Sequence, residues 1–256
     1  MLEFSKYQGT GNDFIVADNR RENFRKETAF IAQLCERRFG IGADGLILLE
    51  NPTAETEDFS MVYFNADGRE SSMCGNGGRC IVKFAQDLGI VRNQAQFSAI
   101  DGLHEANIDG DVISLKMGDV TKINRLHQAY IIDSGSPHYI TFVKNIDTLN
   151  VYAEGRKIRN SPEFREEGIN VNFVETGDHS HAVRTYERGV EDETYSCGTG
   201  VTACALALYD SGNTHQTEVV LTTKGGKLKV KFTPNNDGFS AIWLTGPVQK
   251  TFEGRL

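Results

Sequence analysis

The chain has 256 residues, of which 39% are hydrophobic and 24% are charged, values typical of soluble globular proteins. Its net charge of −8 gives no overall basic field for nucleic acid or an anionic membrane. The first residues, MLEFSKYQGTGNDF, contain no apolar segment of a secretory signal, and no apolar stretch is long enough to span a bilayer. We therefore expect a soluble, cytoplasmic protein without nucleic-acid or membrane partners.

Short runs rich in β-branched and aromatic residues, separated by Gly, Asn and Asp, predict strands along most of the chain. In chain order they are DFIVAD, GLILLE, FSMVYF, VISLKM, AYIID, YITFV, INVNFVE, HAVRTY, EVVLTT, KLKVKF and AIWLTG. Helical spacing of apolar residues predicts helices at Glu27–Arg38, Arg79–Leu88 and Val201–Tyr209. The last two are apolar almost all round and are followed by a glycine, which is typical of helices buried within a sheet.

Two stretches of the sequence follow the same pattern. FSMVYFNADGRESSMCGNGGRCIVKFAQDLG and HAVRTYERGVEDETYSCGTGVTACALALYDSG both run strand, polar turn, Cys-Gly-x-Gly, helix and Gly. Gly89 and Gly212 each lie 15 positions after their cysteine (89 − 74 and 212 − 197). This internal duplication predicts an α+β fold of two pseudo-symmetric domains, each a mostly antiparallel sheet or barrel wrapped around a central apolar helix. We place the domains at residues 1–117 with about 249–256, and at 118–248.

The five cysteines form an odd number in a chain without a signal, which predicts thiols rather than a disulfide framework. The pairs Cys74/Cys80 and Cys197/Cys204 lack the spacing of zinc ligands, and no nearby pair of histidines completes them. We therefore expect no metal site. Cys35, Cys80 and Cys204 fall within helical patterns and are interpreted as packing residues.

Cys74 and Cys197 lie where the glycine-rich turns lead into helices. The N–H groups and dipole at a helix start favour nearby negative charge, so they can bind a ligand carboxylate and lower a cysteine pKa from about 8.5. A single such cysteine is most often a small buried hydrophobic residue. A matched pair facing each other across a cleft, however, could invert a carbon centre, because a thiolate removes an α-proton and a thiol returns one from the other side. Two such thiols must hold opposite protonation states, which couples their titration.

The segments NADGRESSMCGNGGRC, YERGVEDETYSCGTG, GTGNDF and GSPHYI together resemble those of diaminopimelate epimerases, and the resemblance extends from Lys6 to about Gly254. It implies interconversion of LL- and meso-diaminopimelate, in lysine and peptidoglycan biosynthesis, without pyridoxal phosphate, metal or other cofactor. It also implies a homodimer.

The resemblance assigns a role to individual residues. Cys74 and Cys197 would be the acid/base thiols, tuned by His138 and Glu187. Arg188 would bind a carboxylate through two hydrogen bonds, and Glu187 would bind the substrate ammonium. The other expected substrate contacts are Asn12, Asn65, Gly75, Asn76, Ser136, Asn170, Gly198 and Thr199.

The residues alone also allow simpler structural interpretations of several of these positions. Asn12 and Asn65 could be turn formers, and Asn170 could be a strand-edge residue. Glu187 and Arg188 could be a solvated charge pair.

The sequence also departs from the family pattern in places. Ser136 stands where the family often has Asn, and Gly45 where some members have Gln. Phe252 replaces a Tyr that some members use in dimerisation, and the turn before Cys197 is one residue longer than the common form.

Two other functions remain open from the sequence. One is a racemase of proline or hydroxyproline on the same fold, against which Asn65 and Asn76 argue, because proline racemases usually have His at the position of Asn76. The other is a thiol-based redox sensor or ligand-binding protein without catalysis.

Overall fold

The chain folds into two units in a computed structural model that describes residues 3–71, 73–178 and 180–256. The first unit comprises the chain up to Leu115 together with Gly246–Leu256, and the second is Lys116–Thr245.

The first unit is built from eight strands and two helices of the described chain. Its strands are β1 Glu3–Gly9, β2 Asn12–Asp18, β3 Gly45–Glu50, β4 Phe59–Asn65, β5 Gln94–Ala99, β6 Gly102–Asp109, β7 Val112–Lys116 and, from the C-terminal segment, β17 Gln249–Arg255. Its helices are α1 Thr28–Cys35 and α2 Gly75–Asp87.

The second unit contains the remaining elements of the described chain. Its strands are β8 Ile123–Leu126, β9 Ala129–Asp133, β10 Pro137–Phe142, β11 Asn170–Glu175, β12 His181–Glu187, β13 Asp192–Thr194, β14 Glu218–Thr223, β15 Gly226–Asn235 and β16 Gly238–Pro247. Its helices are α3 Val151–Arg159 and α4 Gly198–Asp210, with a short 3₁₀ turn at Ile146–Thr148.

Strand pairing follows the same order in both units. In the first, β1–β2 is antiparallel, β2–β3 parallel, β3–β4 antiparallel, β4–β5 parallel, and β5–β6–β7 antiparallel. The second repeats this order through β9–β10, β10–β11, β11–β12, β12–β14 and β14–β15–β16. Each parallel pair is joined by a connection that contains a helix, as parallel strands require. The predicted duplication and mostly antiparallel α+β fold are confirmed.

Helices α2 and α4 form the centres of their units because both bury most of their residues, and in α2 these include the polar Asn76 and Arg79. Every residue of α4 from Gly200 to Leu208 is buried, as is every residue of α2 from Gly75 to Val82. Small side chains in TACALAL and glycines in GNGG let the surrounding strands approach closely. A Cβ added to Gly78, for example, would lie 3.1 Å from Leu115 Cδ2 on β7.

The predicted strands are all present, but the predicted helix limits need correction. The second and third helices begin at Gly75 and Gly198 rather than at Arg79 and Val201, because the glycines interpreted as a turn form the first helical turn. The first helix, Thr28–Cys35, is shorter at both ends than predicted. Helix α3 was not predicted, since it buries only Val151 and Gly155 and its apolar pattern is weak.

Among the described residues, every helix falls short of the length and hydrophobicity that a membrane span requires.

Truncation of a side chain in α4 tests the central role of this helix. Leu206 is fully buried, so Leu206→Ala is expected to lower the free energy of unfolding by about 2–5 kcal/mol through lost burial and a residual cavity. Leu103 is 56% exposed, and Leu103→Ala should change the free energy of unfolding by no more than about 0.5 kcal/mol. Urea unfolding of both variants measures the difference, and equal effects would contradict a packed centre at α4.

Candidate active site

Cys74 is the N-cap of α2, with extended backbone angles (φ −91°, ψ 130°), and makes no side-chain capping bond. Its carbonyl accepts the N–H of Gly78 at 2.7 Å, which closes the first turn of the helix. The first N–H groups of a helix have no carbonyl partner within it, and the positive end of the dipole lies there. The Cys74 sulfur therefore stands at a position suited to anion binding.

Asn12 joins Cys74 to Asn76. Its Oδ1 atom accepts the Cys74 thiol at 3.6 Å and the Asn76 amide at 3.2 Å. On its other side, Asn12 Nδ2 donates to Asp44 Oδ2 at 2.7 Å. Because a carboxylate accepts hydrogen bonds, Asp44 fixes the amide so that its oxygen points toward the cysteine.

A group of charged side chains holds Asp44 in place. Arg37 donates to Asp44 Oδ1 at 2.6 Å and also to Asp13, which forms a 2.6 Å ion pair with Lys6. Burial alone would raise the pKa of Asp13, but hydrogen bonds from Arg37 and Lys6 outweigh it and hold the pKa at about 2. Asp13 therefore keeps its charge at neutral pH, whereas burial raises the pKa of Asp44, the residue that directly holds Asn12.

Arg79, in α2, is a fully buried guanidinium that interacts electrostatically with Cys80 and Cys74. It donates to Gly75 O at 3.4 Å and to Thr10 Oγ1 at 3.3 Å, and within the described part of the chain its Nε has no hydrogen-bond partner. Burial lowers the pKa of Arg79, and negative charge on Cys80 or Cys74 would oppose that effect. A buried cation beside a thiol favours the ionised sulfur over the neutral one.

Asn65 lies apart from this hydrogen-bonded group. It ends β4 opposite Gly45, and its backbone N–H donates to Arg69 O at 2.9 Å across a tight turn. Its side chain is exposed and, among the described residues, makes no hydrogen bond. The structure thus places Asn65 in a turn.

Cys197 repeats the position of Cys74, as the N-cap of α4 (φ −123°, ψ 115°) with its carbonyl accepting Val201 N–H at 2.9 Å. Its sulfur lies 3.4 Å from Thr199 Oγ1. The backbone carbonyl of Thr199 accepts the Ser134 hydroxyl at 2.8 Å, which fixes the first turn of the helix, including Gly198, against the end of β9.

His138, on β10, is completely buried beneath this turn. Its Nε2 atom is 2.9 Å from Thr199 Oγ1, and its Nδ1 atom is 3.0 Å from Asn172 Nδ2. Burial lowers the pKa of His138 to about 3, with a further lowering from the Arg188 charge. The imidazole is therefore neutral at physiological pH and contacts Cys197 through Thr199.

Ser136, Asn170 and Arg188 form a second group in the same unit. Asn170 Nδ2 donates to Ser136 Oγ at 2.9 Å, and Asn170 Oδ1 accepts the Arg188 backbone N–H at 2.9 Å. The Arg188 guanidinium lies 3.5 Å from Ser136 Oγ and 3.0 Å from Glu167 O. Glu187 precedes it as the last residue of β12. Asn170 therefore positions the start of the Glu187–Arg188 turn.

The other three cysteines have a different environment. Cys35, Cys80 and Cys204 are buried, as the packing interpretation predicts. Burial raises the pKa of Cys35 to about 12 and raises the pKa values of Cys80 and Cys204 well above the ordinary range. These thiols are neutral and unreactive at physiological pH. No cluster of three or more metal-ligating side chains occurs in the ranges that the structure describes.

Sequence reasoning missed the residues that hold the candidates in place, chiefly Asp44, Arg79 and Asn172. For Asn172 a signal existed, because strand alternation puts it on the same face of β11 as Asn170. For Arg79 there was none, since an arginine in a helix is usually exposed.

Comparison with solved structures places this fold in a wider class. The chain superposes on a phenazine biosynthesis protein of the PhzF family from Bacillus anthracis with a TM-score of 0.78, at 13% identity, over 100% of this chain and 99% of that one. It superposes on a probable proline racemase from Agrobacterium radiobacter with a TM-score of 0.70, at 14% identity, over 100% and 93%. These similarities define the fold class alone.

The sequence comparisons are more specific. The model of the family described as diaminopimelate epimerase matches residues 4–123 and 130–251. Diaminopimelate epimerase from Flavobacterium psychrophilum is 51% identical over 98% of this chain and 99% of the relative, and that from Aquifex aeolicus is 40% identical over 100% and 98%. The chain belongs to the diaminopimelate epimerase family.

The buried histidine predicts a pH dependence of stability. The folded protein keeps His138 neutral down to a pKa of about 3, whereas the unfolded chain protonates it near 6.5. Between these values the unfolded state binds more protons, so the contribution of His138 to stability is lost as pH falls through this window. Between pH 7 and pH 4, His138→Gln should lose less of its free energy of unfolding than the wild type, as measured by urea unfolding. His215→Gln, at an exposed histidine, is the control. Parallel profiles of wild type and His138→Gln would contradict the buried neutral imidazole.

Proposed function

We propose that this chain epimerises diaminopimelate, interconverting the LL and meso forms by proton transfer at one α-carbon. The observation that carries the proposal is the pair of cysteines, each the N-cap of a buried helix, in a chain of this family. As an isomerase of this kind it acts in lysine and peptidoglycan biosynthesis. The reaction that we propose uses no cofactor.

The proposed chemistry divides between two thiols in opposite protonation states. One of Cys74 and Cys197, as thiolate, removes the α-proton, and the other, as thiol, donates a proton to the opposite face. The carbanion formed between these steps places negative charge on the α-carboxylate. Helix-start amides, at Gly75–Asn76 and Gly198–Thr199, would stabilise that charge with fixed donors that need no reorganisation.

The remaining substrate contacts follow from the family match and from groups of side chains within each unit. Asn12 and Asn76 share a hydrogen bond beside Cys74. Ser136, Asn170 and Arg188 are likewise joined, and we propose that Arg188 binds the distal carboxylate while Glu187 binds the distal ammonium. Asn65, with its exposed side chain, would contact the substrate from its turn.

Isotope exchange tests the activity directly. Purified protein with reduced thiols is incubated with LL-diaminopimelate in deuterated water without pyridoxal phosphate. We expect meso product carrying deuterium at the α-carbon. Neither product nor deuterium would disprove the proposal, and turnover of the proline enantiomers instead would assign the racemase alternative.

Substitution of either thiol tests the two-base assignment. Cys74→Ser and Cys197→Ser should each lower kcat for epimerisation by about 10²- to 10⁴-fold, because a serine hydroxyl is too weak an acid to replace the thiol. Cys204→Ala, which removes a buried sulfur elsewhere in α4, is the matched control and should retain kcat. Turnover at the wild-type rate in either serine variant would rule out that cysteine as an acid or base.

We also propose that the protein is a cytoplasmic homodimer. The support is the family match together with Phe252, an aromatic side chain on β17 that is 48% exposed. Sedimentation equilibrium should give twice the chain mass of 28.4 kDa, and Phe252→Lys should shift the equilibrium toward monomer. A wild-type protein that sediments as a monomer at micromolar concentration would contradict the dimer.

A further inference from the structure

A chain of hydrogen bonds leads from Thr185 on β12, through Asn172 on β11 and His138 on β10, to Cys197 at the start of α4. Thr185 Oγ1 contacts Asn172 Oδ1 at 2.9 Å, and Asn172 Nδ2 contacts His138 Nδ1 at 3.0 Å. His138 Nε2 contacts Thr199 Oγ1 at 2.9 Å, and Thr199 Oγ1 contacts the Cys197 sulfur at 3.4 Å. Asn172 and His138 are completely buried, so water does not substitute for either.

The direction of this chain is set by one backbone carbonyl. Asn172 Nδ2 lies 3.2 Å from Tyr139 O, and a carbonyl oxygen can only accept. The atom facing Tyr139 is therefore the amide nitrogen, whose second hydrogen points to His138 Nδ1. The amide oxygen then accepts a hydrogen bond from the Thr185 hydroxyl, so both the oxygen and the nitrogen of the Asn172 amide are hydrogen-bonded.

The orientation of Asn172 determines the tautomer of His138. Burial and the charge of Arg188 keep this imidazole neutral, so it carries a single N–H. Since Nδ1 accepts from Asn172, the hydrogen is on Nε2 and is donated to Thr199 Oγ1. The hydroxyl hydrogen of Thr199 then remains available for the Cys197 sulfur.

We propose that Asn172 is a positioning residue that holds His138 in the Nε2–H tautomer and thereby directs the Thr199 hydroxyl to the ionised sulfur of Cys197. In the other tautomer Nε2 would be an acceptor and would take the Thr199 hydrogen away from the sulfur. The proposal rests on the proposed function in taking Cys197 as a reacting thiol.

Packing around the first turn of α4 holds the side chains of Asn172 and His138 in fixed positions. A Cβ added to Gly200 would lie 2.5 Å from Asn172 Oδ1 and 3.2 Å from His138 Cε1. The helix therefore closes directly on both side chains. Burial raises the pKa of the Cys204 thiol, so Cys204 adds no negative charge near Cys197. The pKa of the imidazole is lowered by burial and by the positive charge of Arg188.

The first experiment reads the tautomer in the wild-type protein. Two-bond proton–nitrogen correlation spectra of histidine-labelled protein distinguish the two neutral tautomers of His138, assigned by comparison with His138→Gln. We expect the Nε2–H form at neutral pH. The Nδ1–H form, or an equal mixture of the two, would overturn the proposal without requiring any variant at Asn172.

The second experiment removes the amide while keeping its volume. In Asn172→Leu, the rate of Cys197 alkylation by iodoacetamide at pH 7, followed by peptide mass mapping so that Cys74 is counted separately, should fall about tenfold. This is the size expected when an ionised group loses a hydrogen bond, because the thiolate is the reacting form. Thr185→Val is the matched control, since it removes a buried hydroxyl from the same chain but leaves the amide donor to His138, and it should keep the wild-type alkylation rate.

The outcomes separate this proposal from the proposed function. An unchanged alkylation rate in folded Asn172→Leu, or an equal fall in Thr185→Val, would overturn the role of Asn172, whatever the epimerase assay shows. A tenfold fall in alkylation together with full activity in Cys197→Ser would instead support the hydrogen-bond chain and disprove Cys197 as a reacting thiol.

Discussion

The buried helices α2 and α4 impose the constraint on which the rest of each unit depends. Both bury most of their residues, so the strands enclose them and the helix ends are the parts that can meet solvent or ligand. The glycines of the first turns, which allow strands to approach within a few ångströms, follow from that enclosure. Cys74 and Cys197 lie at the ends where the unsatisfied amides are, which is how packing of the core produces an anion-binding position beside each thiol.

The polar groups near the two thiols share one feature, an asparagine amide oriented by a hydrogen-bond acceptor, but consist of different residues. In each unit an asparagine amide is oriented by an acceptor that cannot donate, the Asp44 carboxylate for Asn12 and the Tyr139 carbonyl for Asn172. The surroundings then diverge. Cys74 has an amide oxygen and a buried cation nearby, whereas Cys197 has a hydroxyl backed by a neutral imidazole. The duplication therefore preserved the scaffold and left the local electrostatics of the two halves distinct.

The sequence predicted the features that depend on local pattern. Strand runs, the two apolar helices and their duplication could be identified because alternation and all-round apolarity appear within a few residues. The helix starts were placed too late, since glycine has a poor helical propensity and close packing overrides it at Gly75 and Gly198. Burial of Arg79 was not predictable, because it depends on a partner far away in the chain, Thr10, whereas the alternation of β11 placed Asn172 on the same face as Asn170.

The position of Asn76 has a consequence for the chemical durability of the protein. Asn76–Gly77 is an asparagine–glycine pair, the dipeptide in which the following backbone nitrogen most readily attacks the side-chain amide to form a succinimide. Here Asn76 is completely buried, its amide donates to Asn12, and Gly77 lies within the first turn of α2. Helical geometry keeps the attacking nitrogen away from the amide carbon. The same packing that positions Cys74 therefore protects Asn76 from deamidation, which would place a negative charge where we propose that the substrate carboxylate binds.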